Sequence, residues 1–375
     1  MIPGQRNPRI DLLRGAAISC VLLLHFSLAY GLTDSPLGHL LGARLTNAIV
    51  RNGNFGVTVF FVISGYLITA NTLVRWRTLR QIDARAFYAA RARRILPGLL
   101  LALAIIVGLG TLGVPYFSNT DGARDLPATF FLLGAGSVLT CWHNVLMQSA
   151  GYFNYCLNIY WSLSVEELFY LLLPLACLTL RRTWLFVGLC LLAIVAGPYY
   201  RSLHADNELY FMYGYLACFD AIALGCLAAL LTRTGSAPPP YAGALRLLAG
   251  IALATLYLRG IRGHEIFGFT WIALATAAFL AGCAHAHSAG AKVGAPLRWM
   301  GRHSYELYLF HIIVLAGLRN AIDKSAMTYG VRLPWLALFL ALSALAAALA
   351  ANVTARLRRR FFAQPVTIEW SPDVR

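Results

Sequence analysis

Apolar runs of about 17–25 residues recur from one end of this chain to the other, and each is the length at which an α-helix crosses a bilayer. The pattern predicts an all-α, polytopic membrane protein folded as one domain over residues 1–375, with no room for a soluble module. Spans are expected near 12–30, 53–74, 95–114, 160–180, 183–199, 209–231, 243–258, 267–284, 304–320 and 334–354, about ten in all. Composition agrees: 59% of the residues are hydrophobic and only 12% charged, where a soluble domain has about 25% charged. The first run carries Arg14 and His25 and lacks a small-residue cleavage site, so it is read as a permanent span and not a signal peptide.

The net charge of +16 does not point to nucleic acid. The basic residues gather in short loops, as the positive-inside rule requires. An eleventh apolar segment, TFFLLGAGSVLT at 129–140, is short and interrupted by glycine. If it does not cross, 22 of the 31 Lys and Arg fall on the cytoplasmic side. If it crosses, Arg181, Arg182 and the RLRRR run at 356–360 move outside, against the rule. The segment is therefore expected to be re-entrant or interfacial. Both termini are then cytoplasmic, with a tail at 356–375, and APPPY at 237–241 is a loop. Six cysteines lie in apolar runs and act as small hydrophobes. Cys141 and Cys156 flank a polar loop, which a disulfide could close; two unpaired thiols are the expectation. No CxxC or metal-like spacing occurs, so no metal is expected.

Several charged or polar residues interrupt the apolar runs, where a charge costs on the order of 2.5–3.5 kcal/mol. Arg14 and His25 are close to three helical turns apart and share one face, about 16 Å apart along the axis. The segment YWSLSVEELFYLLLP at 160–174 carries Glu166 and Glu167. Ser164 and Glu167 have the spacing of a capping box, which makes Glu167 a structural cap. Glu166 shares a face with Ser162 and Tyr170 and lies about 9 Å into its span. His25 should lie at a similar depth, so an acid and an imidazole are expected to pair as support for a general base. Seven arginines occupy the loop 75–94, with Arg91, Arg93 and Arg94 just before the span that Pro97 helps to start. Guanidinium suits a polyphosphate ligand because its planar fork donates two hydrogen bonds at once. Ser304, Tyr308 and His311 share one face. Ser64 and Gly65 sit in an aromatic-rich span, where glycine permits close helix approach. Asp220 is a further acid near mid-membrane. These residues fit an enzyme that takes a group from a phosphorylated cytoplasmic donor. They equally fit a proton-coupled glycan or lipid transporter or flippase, with His25 and Glu166 as a relay.

Five segments, in order, resemble one family. They are RIDLLRGAAISCVLLLHF with Arg14 and His25, GVTVFFVISGYLIT, FYAARARRILP with Arg91 and Arg94, WSLSVEELFYLLLP with Ser162 and Glu166, and GRHSYELYLFH. Together they are similar to the acyltransferase family 3 membrane O-acyltransferases of bacterial envelope glycans, over about residues 8–355. The resemblance implies about ten membrane helices in the bacterial cytoplasmic membrane. It also implies an acyl-CoA donor, commonly acetyl-CoA, with no permanently bound cofactor, and a glycan or lipid-linked glycan hydroxyl as acceptor. His25 matches the family's essential histidine, Arg14 its partner, Arg91 and Arg94 the basic motif, and Ser162 and Glu166 the motif of the glutamate span. Ile159 and Cys218 depart from the family pattern, on the acceptor side and in mid-membrane. With about 20 residues after the last span, the stand-alone form is expected.

Overall fold

Ten helices of sixteen residues or more fall at the ten expected segments of the computed structural model, which describes residues 7–120, 125–232, 240–283 and 294–361. The tail beyond residue 361 and most of the 237–241 loop lie outside the described residues. The first half of the chain holds α1 (Pro8–Tyr30), α2 (Pro36–Leu41), α3 (Ala43–Val50), α4 (Asn54–Trp76), α5 (Ala84–Thr111), α6 (Phe130–Leu139), α7 (His143–Ala150) and α8 (Trp161–Leu180). The second half holds α9 (Thr183–Leu203), α10 (Glu208–Phe211), α11 (Tyr215–Leu231), α12 (Ala242–Arg259), α13 (Gly268–Cys283), α14 (Ala295–Arg302), α15 (Ser304–Ala321) and α16 (Arg332–Phe361). Among the described residues, eight segments are long and apolar enough to cross a membrane. Of the other two long helices, α13 is short at 16 residues, and α15 carries Glu306, His311, Arg319 and Asn320. The protein is an all-α, multi-pass membrane protein.

Segment 129–140 does not form a span. Helix α6 has ten residues, about 15 Å of rise or half a hydrocarbon core. The chain turns at Cys141, at φ +67°, and returns as α7. The hairpin is tied to α8 by the His143 backbone N–H, which donates to Ser164 Oγ at 3.0 Å. Ser164 is therefore no helix cap. A 3₁₀ turn at Leu157–Tyr160 runs straight into α8, which begins at Trp161, so the capping-box reading of Ser164 and Glu167 fails. Cys141 and Cys156 are both free. Cys141 Sγ points at Glu167 Oε2, 3.5 Å away, and Cys156 Sγ at the Tyr116 carbonyl.

From Ala84 onward the basic stretch before the third span is helical, and only residues 77–83 form a connection. The Asp83 side chain accepts the Ala86 N–H at 3.0 Å and caps α5 at Ala84, which places Pro97 inside the helix and not at its start. An N-cap satisfies a donor that the helix would otherwise orphan, so the helix starts where the cap is and not where the apolar run begins. The core forms where glycines let backbones touch. A Cβ at Gly65 of α4 would lie 2.1 Å from the Ile222 carbonyl oxygen, and one at Gly225 of α11 would lie 2.1 Å from that of Val62. A Cβ at Gly15 of α1 would lie 1.9 Å from the Leu297 carbonyl oxygen of α14. Close approach of this kind drives helix association in lipid, where burial of apolar surface cannot. Helix α4 thereby becomes the fixed centre, with Ser64 turned toward α8.

Candidate active site

Ser64 Oγ donates to Glu166 Oε1 at 2.6 Å. Tyr170, one turn beyond Glu166 on α8, donates its hydroxyl to the same oxygen. Two hydroxyl donors thus hold a carboxylate in the bundle interior. Arg91 of α5 stacks its guanidinium 5.7 Å over the Tyr170 ring and also over Phe87, and its Nε is buried with no hydrogen-bond partner in the structure. Arg14 donates from Nε and Nη2 to Ser304 Oγ, at 3.1 and 2.7 Å. These side chains line a cavity of about 100 Å³ together with Arg94, Ser162 and Glu167. Seven of the expected site residues (Arg14, Ser64, Arg91, Arg94, Ser162, Tyr170 and Tyr308) therefore line the cavity that Glu166 faces. Arg93 does not. Two residues from Arg91, it sits across the helix, donates to the Ala89 carbonyl at 3.1 Å and is absent from the cavity lining.

His25 and Glu166 do not pair, contrary to expectation. His25 turns toward α15, where its Nδ1 lies 3.0 Å from Nε2 of His311. Face-sharing along a helix was read correctly, but it does not say which neighbour a face meets. The partners assign the tautomers. His311 Nδ1 lies 3.0 and 2.9 Å from the Leu307 and Tyr308 carbonyl oxygens, which only accept, so it carries a proton. In the neutral ring its Nε2 is then an acceptor toward His25. His25 Nδ1, also 3.1 Å from the Val21 carbonyl, carries the other proton. That leaves the lone pair of His25 on Nε2.

His25 lines a second, larger cavity of about 620 Å³, with Trp161, Tyr213, Asn158, Arg51 and Arg262 around it. Trp161 and Tyr213 stack with ring centroids 4.4 Å apart. None of these wall residues was picked out from the sequence; Trp161 alone carried a signal, as part of the glutamate-span segment. The departure at Ile159 falls on this wall. The two cavities share Val57 and Tyr308 in their linings. Tyr308 OH lies 2.6 Å from the Ile159 carbonyl and 2.6 Å from Ser162 Oγ. Its single proton goes to the carbonyl, so Ser162 donates to Tyr308.

Asp220 belongs elsewhere. It pairs with the fully buried Arg201 of α9, Nη2 to Oδ2 at 2.7 Å, and accepts from Thr270 at 2.7 Å. The sequence reading ended the fifth span at residue 199 and so missed Arg201, although an acid inside the membrane demands a partner.

A membrane helical bundle in which a carboxylate and three arginines line one cavity and a histidine lines a second, with Val57 and Tyr308 common to both, defines the class. The model of the acyltransferase family 3, described as "Acyltransferase domain", matches residues 7–353, and the chain belongs to that family. It is 28% identical over 331 residues to the peptidoglycan O-acetyltransferase OatA of Listeria monocytogenes serovar 1/2a, covering 82% of this chain and 49% of that protein. It is 26% identical over 340 residues to the O-acetyltransferase OatA of Staphylococcus aureus strain NCTC 8325, covering 82% and 50%. A putative O-acetyltransferase of S. aureus strain COL matches at 25% over 335 residues. The chain spans about half the length of these relatives. No solved structure matches.

Proposed function

We propose that this protein is an O-acyltransferase of the bacterial cytoplasmic membrane. It moves an acyl group, in the simplest case acetyl, from acyl-CoA on the cytoplasmic side to a hydroxyl of an envelope glycan or lipid-linked glycan. One observation carries the reading: the cavity of Arg14, Arg91, Arg94 and Glu166 shares the wall residues Tyr308 and Val57 with the cavity of His25. The arginines suit an anionic donor whose acyl end enters this cavity, and the aromatic wall of the larger cavity suits a sugar ring. The acceptor hydroxyl attacks the thioester carbonyl and gives its proton to His25 Nε2. His311 accepts from His25 Nδ1 throughout, which fixes the tautomer and stabilises the imidazolium. The proton then passes to the departing CoA thiolate, and the products are an ester and CoA. Relatives named O-acetyltransferase, one of them for peptidoglycan, support a glycan acceptor.

The test is to incubate purified protein with acyl-labelled acetyl-CoA. Label should pass to a glycan, or the donor should be slowly hydrolysed; a proton-coupled transporter would do neither. His25→Ala should abolish both while the protein still inserts and accumulates. An active His25→Ala variant would remove His25 from the chemistry.

A further inference from the structure

The cavity beneath Arg91 and Arg94 is about 100 Å³, well short of the roughly 300–1,000 Å³ of a site that encloses a whole small ligand. It has room for the thioester end of a donor but not for a nucleotide. The nucleotide end has to lie on another surface, within reach of a linear pantetheine arm.

A second arginine-lined cavity, of about 260 Å³, lies further along α8. Arg80 reaches it from the 3₁₀ turn Leu79–Gln81. Arg181, Arg182 and Thr183 reach it from the connection between α8 and α9, and Cys177 and Phe186 give it an apolar floor. No carboxylate lines it. Among the described residues, none of the three guanidinium groups has an acid partner. Cys177, in its lining, follows Tyr170 by seven residues, close to two turns of 3.6 residues. The two cavities therefore lie on the same side of α8, about 10 Å apart along its axis. Helix α5 links them from the other side, descending from Arg94 and Arg91 to its start at Ala84, just past the turn that carries Arg80.

Two local features make the cavity more attractive to an anion. Helix α9 begins here with Arg182 at the N-cap and no side-chain cap, so its first N–H groups and its positive dipole end add to the arginines. Arg181 has φ +52°, a left-handed conformation that glycine adopts at lower cost at a helix C-terminus. An arginine held there spends conformational energy to present a guanidinium.

We propose that this cavity is the phosphate subsite for the nucleotide end of the acyl donor. Arg80, Arg181 and Arg182 bind the phosphates while the thioester reaches Glu166's cavity, an inference that rests on the acyl-CoA reading above. The headgroup phosphate of an anionic phospholipid has the same chemistry, and the experiment separates the two. The full chain, in nanodiscs of zwitterionic lipid alone, is assayed with acetyl-CoA and with S-acetylpantetheine, which lacks the nucleotide. In the Arg181→Gln/Arg182→Gln variant and in Arg80→Gln, KM for acetyl-CoA should rise roughly tenfold or more, as expected for a lost charged hydrogen bond. Turnover at saturation and KM for S-acetylpantetheine should hold at the wild-type values. Adenosine bisphosphate should compete with CoA for wild-type protein, which gives a readout even where a Gln variant fails to accumulate. Three results overturn the subsite: unchanged KM for acetyl-CoA, equal loss with both donors, or a defect that appears only when anionic lipid is added. The last would assign the cavity to a lipid headgroup. A wild-type protein that neither transfers nor hydrolyses acetyl-CoA would instead overturn the donor reading, and the subsite with it.

Discussion

Glu166 and Asp220 are both carboxylates inside membrane helices, and the protein holds them in opposite ways. Asp220 is sealed. A guanidinium neutralises it at 2.7 Å, Thr270 and the Ala221 N–H donate to it at 2.7 and 2.8 Å, and Gly197 packs so tightly that a Cβ there would lie 2.7 Å from its Cγ. Glu166 receives two hydroxyls on one oxygen and faces a cavity. A sealed, neutralised charge organises helices. A charge left with only hydroxyl donors beside an open volume is available to a ligand. Position within a span does not separate the two cases; the partners and the adjoining space do.

The comparison breaks most sharply at the ion pair. Removing one partner leaves the other charge buried and unpaired, at about 3–5 kcal/mol, a large part of the roughly 5–15 kcal/mol that holds a protein folded. Asp220→Ala and Arg201→Ala should each sharply lower accumulation and melting temperature in detergent. Arg201→Met combined with Asp220→Leu should recover much of the loss, because an apolar pair of similar volume can replace a buried ion pair. Single variants that accumulate and melt normally yet lack activity would move Asp220 into the chemistry. Glu166→Gln should behave the other way. It keeps size and hydrogen-bonding capacity, so accumulation should be normal, while kcat should fall about 10²-fold, the lower range for losing a preorganised electrostatic contact to the reacting group. Normal turnover in Glu166→Gln would reduce Glu166 to a structural residue like Asp220.

The sequence carried the ten long helices and which residues share a face within one of them. Arg14 and His25 do share a stripe, and Ser304, Tyr308 and His311 do point inward together, because the period of 3.6 is local. Azimuth between helices is not local. Glu166 could have met His25 as far as depth allowed; it meets Ser64 because Gly65 and Gly225 bring α4 and α11 into backbone contact and fix which way α4 turns. Helix ends were the other weak point. Arg201 lies past the last strongly apolar residues of its run, so it read as a loop charge. In the structure α9 continues to Leu203 and buries it completely.

Glu167 gives the finest test of the same distinction, because it differs from Glu166 by one residue and in both partners and role. It lines the same cavity, but its close contact is the Cys141 thiol at the tip of the α6–α7 hairpin, at 3.5 Å. A thiol is a weak donor, and the hairpin is held independently by the His143 N–H to Ser164 and by the Tyr215 hydroxyl to the Cys141 carbonyl. Glu167→Gln should therefore cost no more than about 1 kcal/mol of stability and leave kcat/KM within roughly fivefold of the wild type. Cys141→Ala, which removes the same contact from the other side, should match it. Measured side by side under one set of donor concentrations, a Glu167→Gln defect as deep as that of Glu166→Gln would mean that both carboxylates serve the reacting group. Openness to the cavity, and not the identity of the hydrogen-bond donor, would then be what marks a buried acid in this bundle as functional.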